Sequence, residues 1–314
     1  MKKGLVLGSA ALVLMVGTNL YAGDLTIGGY ADITTTLSKS SDPTKENKTW
    51  VMGEVDFEKT TGQTTVRVDL DFPEGTHNAK GVGGAMDTVG EIEQAKFVRD
   101  YGNGSSLTGG AFNVHLGFER EDSPEMLGAS NGQLFKYVPQ NLAGLQWSWA
   151  KGATAVDLFY GNDWQGQASA PTGYDNSWGG HASFHGGHAD LSVSYITSGR
   201  TPTGPAPKGN GDVLDVVLSG QGSAGLLALE VLSDDIHDGW GITANHTHDK
   251  HGIMLRYDTV ETAPAGGTKT EKTSLTAAVS CAMWDNVRSI LEWKQEEMGT
   301  DTSDVVALKW VATF

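Results

Sequence analysis

The sequence predicts an all-β fold, a transmembrane antiparallel β-barrel of about sixteen strands, with twelve to eighteen as the accepted range. Three observations support this prediction. Apolar and polar residues alternate with period two along most of the chain, as in strands with two different faces. After residue 22, no stretch has the ~20 apolar residues that a membrane-spanning helix needs. Short turns alternate with longer loops between the predicted strands, which is typical of outer-membrane barrels with short periplasmic turns.

The clearest strand in the first half of the chain is predicted at residues 65–72. Valine, leucine and phenylalanine occupy one parity there, and threonine, arginine and aspartate occupy the other. Further strands are predicted near residues 25–34, 51–57, 92–101 and 112–118. A soluble antiparallel sheet would alternate in the same way, so this pattern predicts strands without deciding whether they cross a membrane.

Turn residues divide the second half of the chain at short intervals. The predicted turns are Lys151-Gly152, Gly186-Gly187, Gly220-Gln221-Gly222, His248-Asp249-Lys250 and Met283-Trp284-Asp285. Longer loops are predicted at 38–48, 73–90, 117–139, 161–177, 201–211 and 261–269. Aromatic residues near strand ends predict two girdles at the membrane surfaces. They are Tyr30, Trp50, Tyr101, Tyr160, Trp178, Tyr195, Trp240, Trp284, Trp293, Trp310 and Phe314.

The N-terminal segment has the pattern of a secretory signal. A basic start, Met1-Lys2-Lys3, precedes an uncharged apolar run from Leu5 to Val16, and Ala22 supplies a small residue for cleavage. We expect a signal peptide at residues 1–22 and one outer-membrane barrel at residues 23–314. A membrane anchor is the alternative, but the apolar run is shorter than a spanning helix.

The last ten residues form a strand with one wholly apolar face. Its members are Val306, Leu308, Trp310, Ala312 and Phe314. This ending resembles the terminal β-signal of bacterial outer-membrane barrels, which have a final phenylalanine preceded by apolar residues at every second position. The resemblance implies that the barrel-assembly machinery reads Trp310 and Phe314, and that the barrel lies in outer-membrane lipid.

Composition excludes several classes of protein. The net charge is −16, and removing residues 1–22, which contain two lysines and no acid, lowers it to −18. Such a chain offers no basic patch for nucleic acid. The lone cysteine, Cys281, excludes an internal disulfide framework. No linker-like stretch divides the chain into domains.

A second resemblance covers residues 91–144. Its short motifs occur in order at residues 91–95, 109–113, 117–119, 122–124 and 139–144. They are similar to the OmpL-like beta-barrel porins of Gram-negative bacteria. The resemblance implies passive transport of small hydrophilic solutes and ions, and it provides no catalytic residues and no cofactor. Self-association into a homo-oligomer is left open.

Acidic residues crowd the segment after the fifth predicted strand, where Glu119, Glu121, Asp122 and Glu125 lie close in sequence. General porins resemble this arrangement in placing a long third loop inside the lumen as a constriction. The expected counterpart is a basic wall formed by Arg67, Lys96 and Arg99, which would create a transverse field. Which side of the fourth strand faces the lumen is the least clear part of this prediction. The alternative is that the acidic segment is a solvated loop outside the barrel. We also expect weak cation selectivity.

Other functions are weighed against the channel. A surface adhesin or structural barrel would need a plugged lumen, and a barrel enzyme would need a nucleophile beside a histidine. No local motif marks such a nucleophile, so we expect no enzyme. A soluble periplasmic β-protein is the remaining alternative. Histidines at 181, 185 and 188 and at 246, 248 and 251 are spaced like metal ligands. Without a nearby cysteine or a convergent carboxylate, we expect no metal site.

Overall fold

The computed structural model describes residues 25–40, 48–72, 91–162, 176–197, 212–223, 225–263 and 267–314. The predicted signal peptide and the predicted loops at 73–90 and 201–211 lie outside these residues, as do most of the loops predicted at 38–48 and 161–177. Sixteen strands form a closed antiparallel barrel, which confirms the predicted fold. In the part that is described, no helix is long and apolar enough to cross a membrane.

The strands follow one another around the barrel in chain order. They are β1 (Thr26–Ser40), β2 (Lys48–Thr61), β3 (Thr64–Phe72), β4 (Glu91–Asp100), β5 (Ser105–Asn113), β6 (Asn141–Lys151), β7 (Thr154–Gly161), β8 (Ser177–Gly186), β9 (Ala189–Ile196), β10 (Val213–Gly222), β11 (Gly225–Ser233), β12 (His237–His248), β13 (His251–Thr262), β14 (Thr270–Trp284), β15 (Val287–Met298) and β16 (Asp301–Thr313).

The closing strand joins the two ends of the chain. β16 pairs with β1 from Tyr30↔Thr313 to Ser40↔Ser303, so no sheet edge is left unpaired. Seven connections at one end of the barrel are short turns, and the longer connections lie at the other end, with short exceptions at 234–236 and 299–300. This is the predicted asymmetry between short periplasmic turns and long outer loops.

The two faces of the barrel have opposite chemistry. Leu158, Leu229 and Leu255 are exposed on the outer face, whereas Asp69 and Glu292 are buried on the inner face. Because apolar groups on the outside and polar groups on the inside invert the soluble pattern, the outer band suits lipid. Most of the exposed aromatic residues in the predicted girdles point outward from the barrel. Tyr30 and Trp50 do not belong to a girdle, because their parity turns them inward.

The fifth strand both begins and ends earlier than predicted, at Ser105–Asn113 rather than near 112–118. Apolar residues alternate from Phe112 to Phe118, yet β5 stops at Asn113. The N–H of Val114 still donates to Gln140 O (2.8 Å), and beyond it the chain leaves the sheet. The alternation persists because Val114 and Leu116 pack inside the barrel rather than on lipid. The connection between β5 and β6 therefore covers residues 114–140.

Candidate functional site

The connection at residues 114–140 folds into the barrel, and we call it the inner loop. Its Val114, Leu116, Leu134 and Val138 are buried against inward side chains of the wall. Those wall residues are Phe112, Leu142, Phe159, Ile196, Val213, Leu232 and Val260. Full burial of such a side chain contributes ~1.5–3 kcal/mol, so apolar packing alone favours the inward position. One turn of 3₁₀ helix, Leu134–Tyr137, lies within the loop.

Glu292 on β15 binds the middle of the inner loop. Its carboxylate accepts hydrogen bonds from Ala129 N (2.8 Å), Ser130 N (3.2 Å) and Ser130 Oγ (2.5 Å). The Glu292 side chain is 2% exposed. A buried carboxylate with three donors is well compensated, and such charge-assisted bonds are stronger than neutral ones.

Arg256 on β13 makes the second attachment. Its guanidinium pairs with Glu119 and donates two bonds to Ser130 O (3.1 Å each). Glu119 in turn accepts a hydrogen bond from Gly132 N (2.6 Å). Asp258, two residues along the same strand, accepts one from Gln133 N (2.8 Å). The loop thus folds around a buried cation that the barrel supplies.

Further basic residues reach the loop backbone from neighbouring strands. Arg288 donates to the carbonyls of Ser123 (3.0 Å), Pro124 (3.2 Å) and Met126 (2.8 Å). Lys294 donates to Asn131 O (3.2 Å). Loop carbonyls carry partial negative charge, so the basic wall of β13 and β15 attracts the backbone as well as the acids.

The first turn of the inner loop is held by two acids on β10 and β11. Gly117 N donates to Asp215 Oδ1 on β10, and Phe118 N donates to Glu230 Oε1 on β11, both at 3.2 Å. Gly117 has φ +79°, a conformation that favours glycine. These bonds replace the sheet pairing that the alternating sequence predicts here.

The predicted constriction acids lie in different surroundings. Glu119 is paired with Arg256, and it also borders the cavity beside the inner loop. Glu121 and Glu125 are exposed, and Arg120 lies 4.0 Å from Glu125. Asp122 is half-buried and approaches two acids of the wall, Glu54 on β2 and Glu93 on β4.

The predicted wall residues are also divided. Arg67 lies inside the barrel, where it binds Asp69 (2.7 Å) and approaches Asp56 (3.3 Å). Lys96 lies beside it and donates to Gln94 Oε1 (2.6 Å). Arg99 lies apart from both, with its side chain on Thr64 Oγ1 and Gln63 Oε1 at the short turn. Since Arg99 shares the outward parity of Phe97, it does not join Arg67 and Lys96 in the wall.

A β-bulge explains the mixed face of β4. Asp69 pairs with Gln94 and Leu70 pairs with Ile92, so Glu93 has no partner on β3. The extra residue turns both Glu93 and Gln94 toward the lumen, where both are buried. On this side, Asp122 therefore faces carboxylates and not the basic wall that the sequence predicts. The basic wall lies instead on β13 and β15.

Two ionisable groups on the inner loop change charge near neutral pH. Although part of the Glu121 side chain is exposed, desolvation inside the barrel raises its pKa to about 7, and the carboxylates of Asp122 and Asp71 add to the effect. Burial lowers the pKa of Lys136 to about 8, with further repulsion from Lys272 and Lys294. As pH rises from 6 to 9, both deprotonations make the lumen more negative.

Space remains beside the inner loop. A cavity of about 200 Å³ is lined by Arg120, Glu125, Asn131 and, across from them, Leu226 and Thr243. Leu226 lies near the start of β11, at the short-turn end of the barrel. Charged groups of both signs therefore border this cavity next to the loop.

Comparison with known proteins identifies the architecture. No protein-family model matches the chain, and no curated protein matches it. A solved structure of a loop L8 deletion mutant of OmpT, an outer membrane protein of Vibrio cholerae, has a TM-score of 0.64 at 11% identity and covers 92% of this chain and 99% of its own. Two variants of the Rh. blastica porin, one with two acids replaced by alanine, have TM-scores of 0.61 at 13% identity and cover 93% of this chain and 100% of theirs.

The fold is that of the outer-membrane β-barrel porins. At these identities the likeness describes the fold alone, so the arrangement of charges within the barrel belongs to this chain.

A serine, a histidine and an aspartate are neighbours on the inner wall. Asp157 pairs with His181, and His181 pairs with Ser194 across β7, β8 and β9. The His181 Nδ1 lies 2.8 Å from Ser194 Oγ. The Ser194 side chain is only 1% exposed, which withholds it from a substrate.

The sequence reasoning missed the residues that hold the inner loop. Arg256, Arg288 and Glu292 alternate with apolar residues on their strands, and this alternation was the signal in the sequence that could have placed them on the inner face. Contacts between residues more than 100 positions apart, such as Arg256 and Glu119, leave no trace in one sequence.

The two residues of the predicted assembly signal lie on the closing strand. Trp310 is half-buried and pairs with Ile33 and Ser289, while Phe314 is 67% exposed and its N–H donates to Gly29 O (3.1 Å). Both carry the outward parity, as the alternation predicts.

Proposed function

We propose that this barrel is an outer-membrane porin, a passive channel for small hydrophilic solutes and ions. The observation that carries the proposal is the inner loop, which is hydrogen-bonded inside a sixteen-strand barrel and narrows a polar lumen. A passive channel needs a wet passage with charged borders and no reactive group.

The inner loop carries exposed charged residues inside the barrel. We infer that Glu121 and Glu125, with Asp122 behind them, attract cations into the passage, while Arg120 and Lys136 moderate that attraction. Coulomb interactions are stronger in a narrow lumen than in bulk water. They weaken as the screening length falls to ~3 Å near 1 M salt. The result is a weak cation preference in dilute salt.

Planar bilayer recording tests this function. The refolded barrel should give stable conducting steps, and a KCl gradient should give a reversal potential of the sign for cation preference. Glu121→Gln together with Glu125→Gln should move that potential toward zero. Glu297→Gln, an exposed acid at the loop end of β15, serves as the control. A clear anion preference would reject the charge argument and leave Arg120 and Lys136 as the filter.

A structural or adhesive barrel is the second candidate. Loop contacts with strands on opposite parts of the wall favour it, because they reach β1, β10, β11, β13 and β15. A folded barrel that stays silent in the bilayer would support this function and reject the porin.

A barrel enzyme is the third candidate, and we propose that the chain is not one. Burial of Ser194 argues against a nucleophile at the His181 pair. A serine-directed fluorophosphonate should therefore fail to label the folded protein. Labelling that Ser194→Ala abolishes would overturn this conclusion.

We also propose how the chain is exported and to which family it belongs. We infer cleavage after Ala22, assembly through Trp310 and Phe314 by the barrel-assembly machinery, and membership of the OmpL-like porins on the motifs at residues 91–144. Association of several copies is consistent with the porin fold. Deleting Phe314 should lower the amount of heat-modifiable barrel in the outer membrane without lowering secretion. Equal amounts in mutant and wild type would contradict the assembly role.

A further inference from the structure

Three carboxylates meet where the inner loop approaches the wall of β2 and β4. Glu54, Glu93 and Asp122 each direct an oxygen to a common point, and these atoms lie within 4.8 Å of one another. They come from three separate elements, two strands and the loop. Asp71 and Glu121 add further negative charge nearby.

The buried members of this group have carboxylate oxygens that accept no hydrogen bond from the described residues. The Glu54 side chain is 2% exposed, and its Oε2 accepts no hydrogen bond from a described residue. Glu93 is 9% exposed, and neither of its carboxylate oxygens accepts a hydrogen bond within ordinary geometry among the described residues, although the Asn113 side chain lies beside it. An unpaired buried carboxylate costs several kcal/mol, so the group requires protons or a cation.

The basic residues in the neighbourhood are committed elsewhere. Arg67 lies 3.9 Å from Glu54 but binds Asp69 at 2.7 Å. Lys96 donates to Gln94, and Lys309 pairs with Asp32 at 3.4 Å. Within the described ranges, Arg67 is the only one of these bases within 4.0 Å of the three carboxylates, and its shortest ion pair is with Asp69.

The β-bulge in β4 is a second, independent feature. A regular strand would place Glu93 on the lipid face, beside Ala95 and Phe97. The bulge turns it inward, next to Glu54. Bulges that re-aim a side chain are typical of functional sites, and this one creates the cluster.

We propose that Glu54, Glu93 and Asp122 bind one Ca²⁺ ion between the inner loop and the β2–β4 wall. Hard carboxylate oxygens are the ligands that Ca²⁺ prefers, and its flexible geometry tolerates ligands from three separate elements. Mg²⁺ demands a stricter octahedron and binds less well here. The ion would attach the loop to β2 and β4, opposite the attachment made by Arg256 and Glu292.

Calcium binding is measured on the folded full-length barrel in detergent, after treatment with EDTA, by titration calorimetry at pH 7.5. Wild type should bind one Ca²⁺ per chain, and Ca²⁺ should raise the temperature at which the barrel loses its heat-modifiable form. Glu93→Gln and Asp122→Asn should each weaken binding at least tenfold. Folding of each variant is checked by the gel shift, and Asp122→Asn, which lies in the loop, serves if Glu93→Gln fails to fold.

Glu58→Gln is the matched control, because it removes the same charge from the same face of β2 without touching the three ligands. It should leave Ca²⁺ affinity within twofold of wild type. Equal weakening by Glu58→Gln would mean diffuse attraction and would overturn the site. Absence of Ca²⁺ binding in wild type would do the same and would mean that the carboxylates share protons. Binding is measured without conduction, so a silent barrel would reject the porin and leave this inference standing.

Discussion

The inner loop meets the barrel wall on two sides, and the charges are arranged oppositely on the two. Toward β13 and β15, loop acids and carbonyls meet Arg256 and Arg288, and Glu292 meets loop N–H groups. Toward β2 and β4, Asp122 meets Glu54 and Glu93. The first side holds the loop with the charges of the protein itself, whereas the second side needs a proton or an external ion. On the β13 and β15 side, the neighbouring charges therefore attach the loop to the wall. On the β2 and β4 side, the stability of the contact depends on the pH and on the ions in solution.

The largest effect on stability is expected where the inner loop meets β13 and β15. Arg256→Met should lower the free energy of unfolding by ~3–5 kcal/mol, because Glu119 and Asp258 lose their buried partner. Urea titration of the barrel in lipid vesicles measures this change. Arg99→Met, at the exposed short-turn end of β4, should stay within ~0.5 kcal/mol of wild type. Equal effects from the two variants would show that Arg256 does not hold the loop.

Removing the other attachment should have a somewhat smaller effect. Glu292→Ala leaves the donors of Ala129 and Ser130 without an acceptor and should cost ~2–3 kcal/mol. Single-channel conductance should also rise, since the loop is released from β15. Glu297→Ala, an exposed acid on the same strand, is the control for both measurements. An unchanged conductance would mean that the loop does not set the width of the passage.

Removing a carboxylate on the β2 and β4 side should stabilise the barrel rather than destabilise it. In EDTA, Glu54→Gln should raise the free energy of unfolding by ~1 kcal/mol, because it removes repulsion between neighbouring carboxylates. The same urea titration measures it. Destabilisation comparable to that of Glu292→Ala, still in EDTA, would show that the protein compensates Glu54 by itself.

The smallest effect is the pH dependence of selectivity. Glu121, with a pKa raised to about 7, is neutral at pH 6 and charged at pH 8, while Lys136, with a pKa lowered to about 8, loses its charge by pH 9. Both changes favour cations, so the K⁺ to Cl⁻ permeability ratio should rise by roughly twofold from pH 6 to pH 9. Reversal potentials measure the ratio. Glu121→Gln should remove the part of the change near pH 7, and a flat wild-type profile would place Glu121 away from the passage.

The local alternation of apolar and polar residues was sufficient to predict most strands of the barrel. The hairpin of β12 and β13 was predicted from its alternation and from the turn at His248-Asp249-Lys250, and the structure places it at His237–Thr262. The same reasoning identified the closing strand by its apolar parity. Side-chain alternation is a property of neighbouring residues, so one sequence is enough to reveal it.

Alternation gave the wrong interpretation at two places, because in both the outcome depends on residues that are distant in sequence. The residues from Phe112 to Phe118 alternate like a lipid-facing strand, but Val114 and Leu116 are buried inside the barrel by side chains from β6 to β13. In β4, the bulge turns Glu93 and Gln94 inward together, while Lys96 and Arg99, three residues apart in the regular part of the strand, point to opposite faces. Apolar residues suit lipid and a packed interior equally well, and a bulge depends on the partner strand.

The amino-acid order alone thus predicted strands, turns, the outward apolar face and an acidic segment after the fifth strand, because each depends on residues close in sequence. The tertiary structure decided which acids meet bases and which meet other acids. Glu119 and Asp122 are three residues apart and chemically similar, yet one pairs with Arg256 and the other faces Glu54 and Glu93. That difference arises from closure of the barrel, which brings β2, β4 and β13 around one loop.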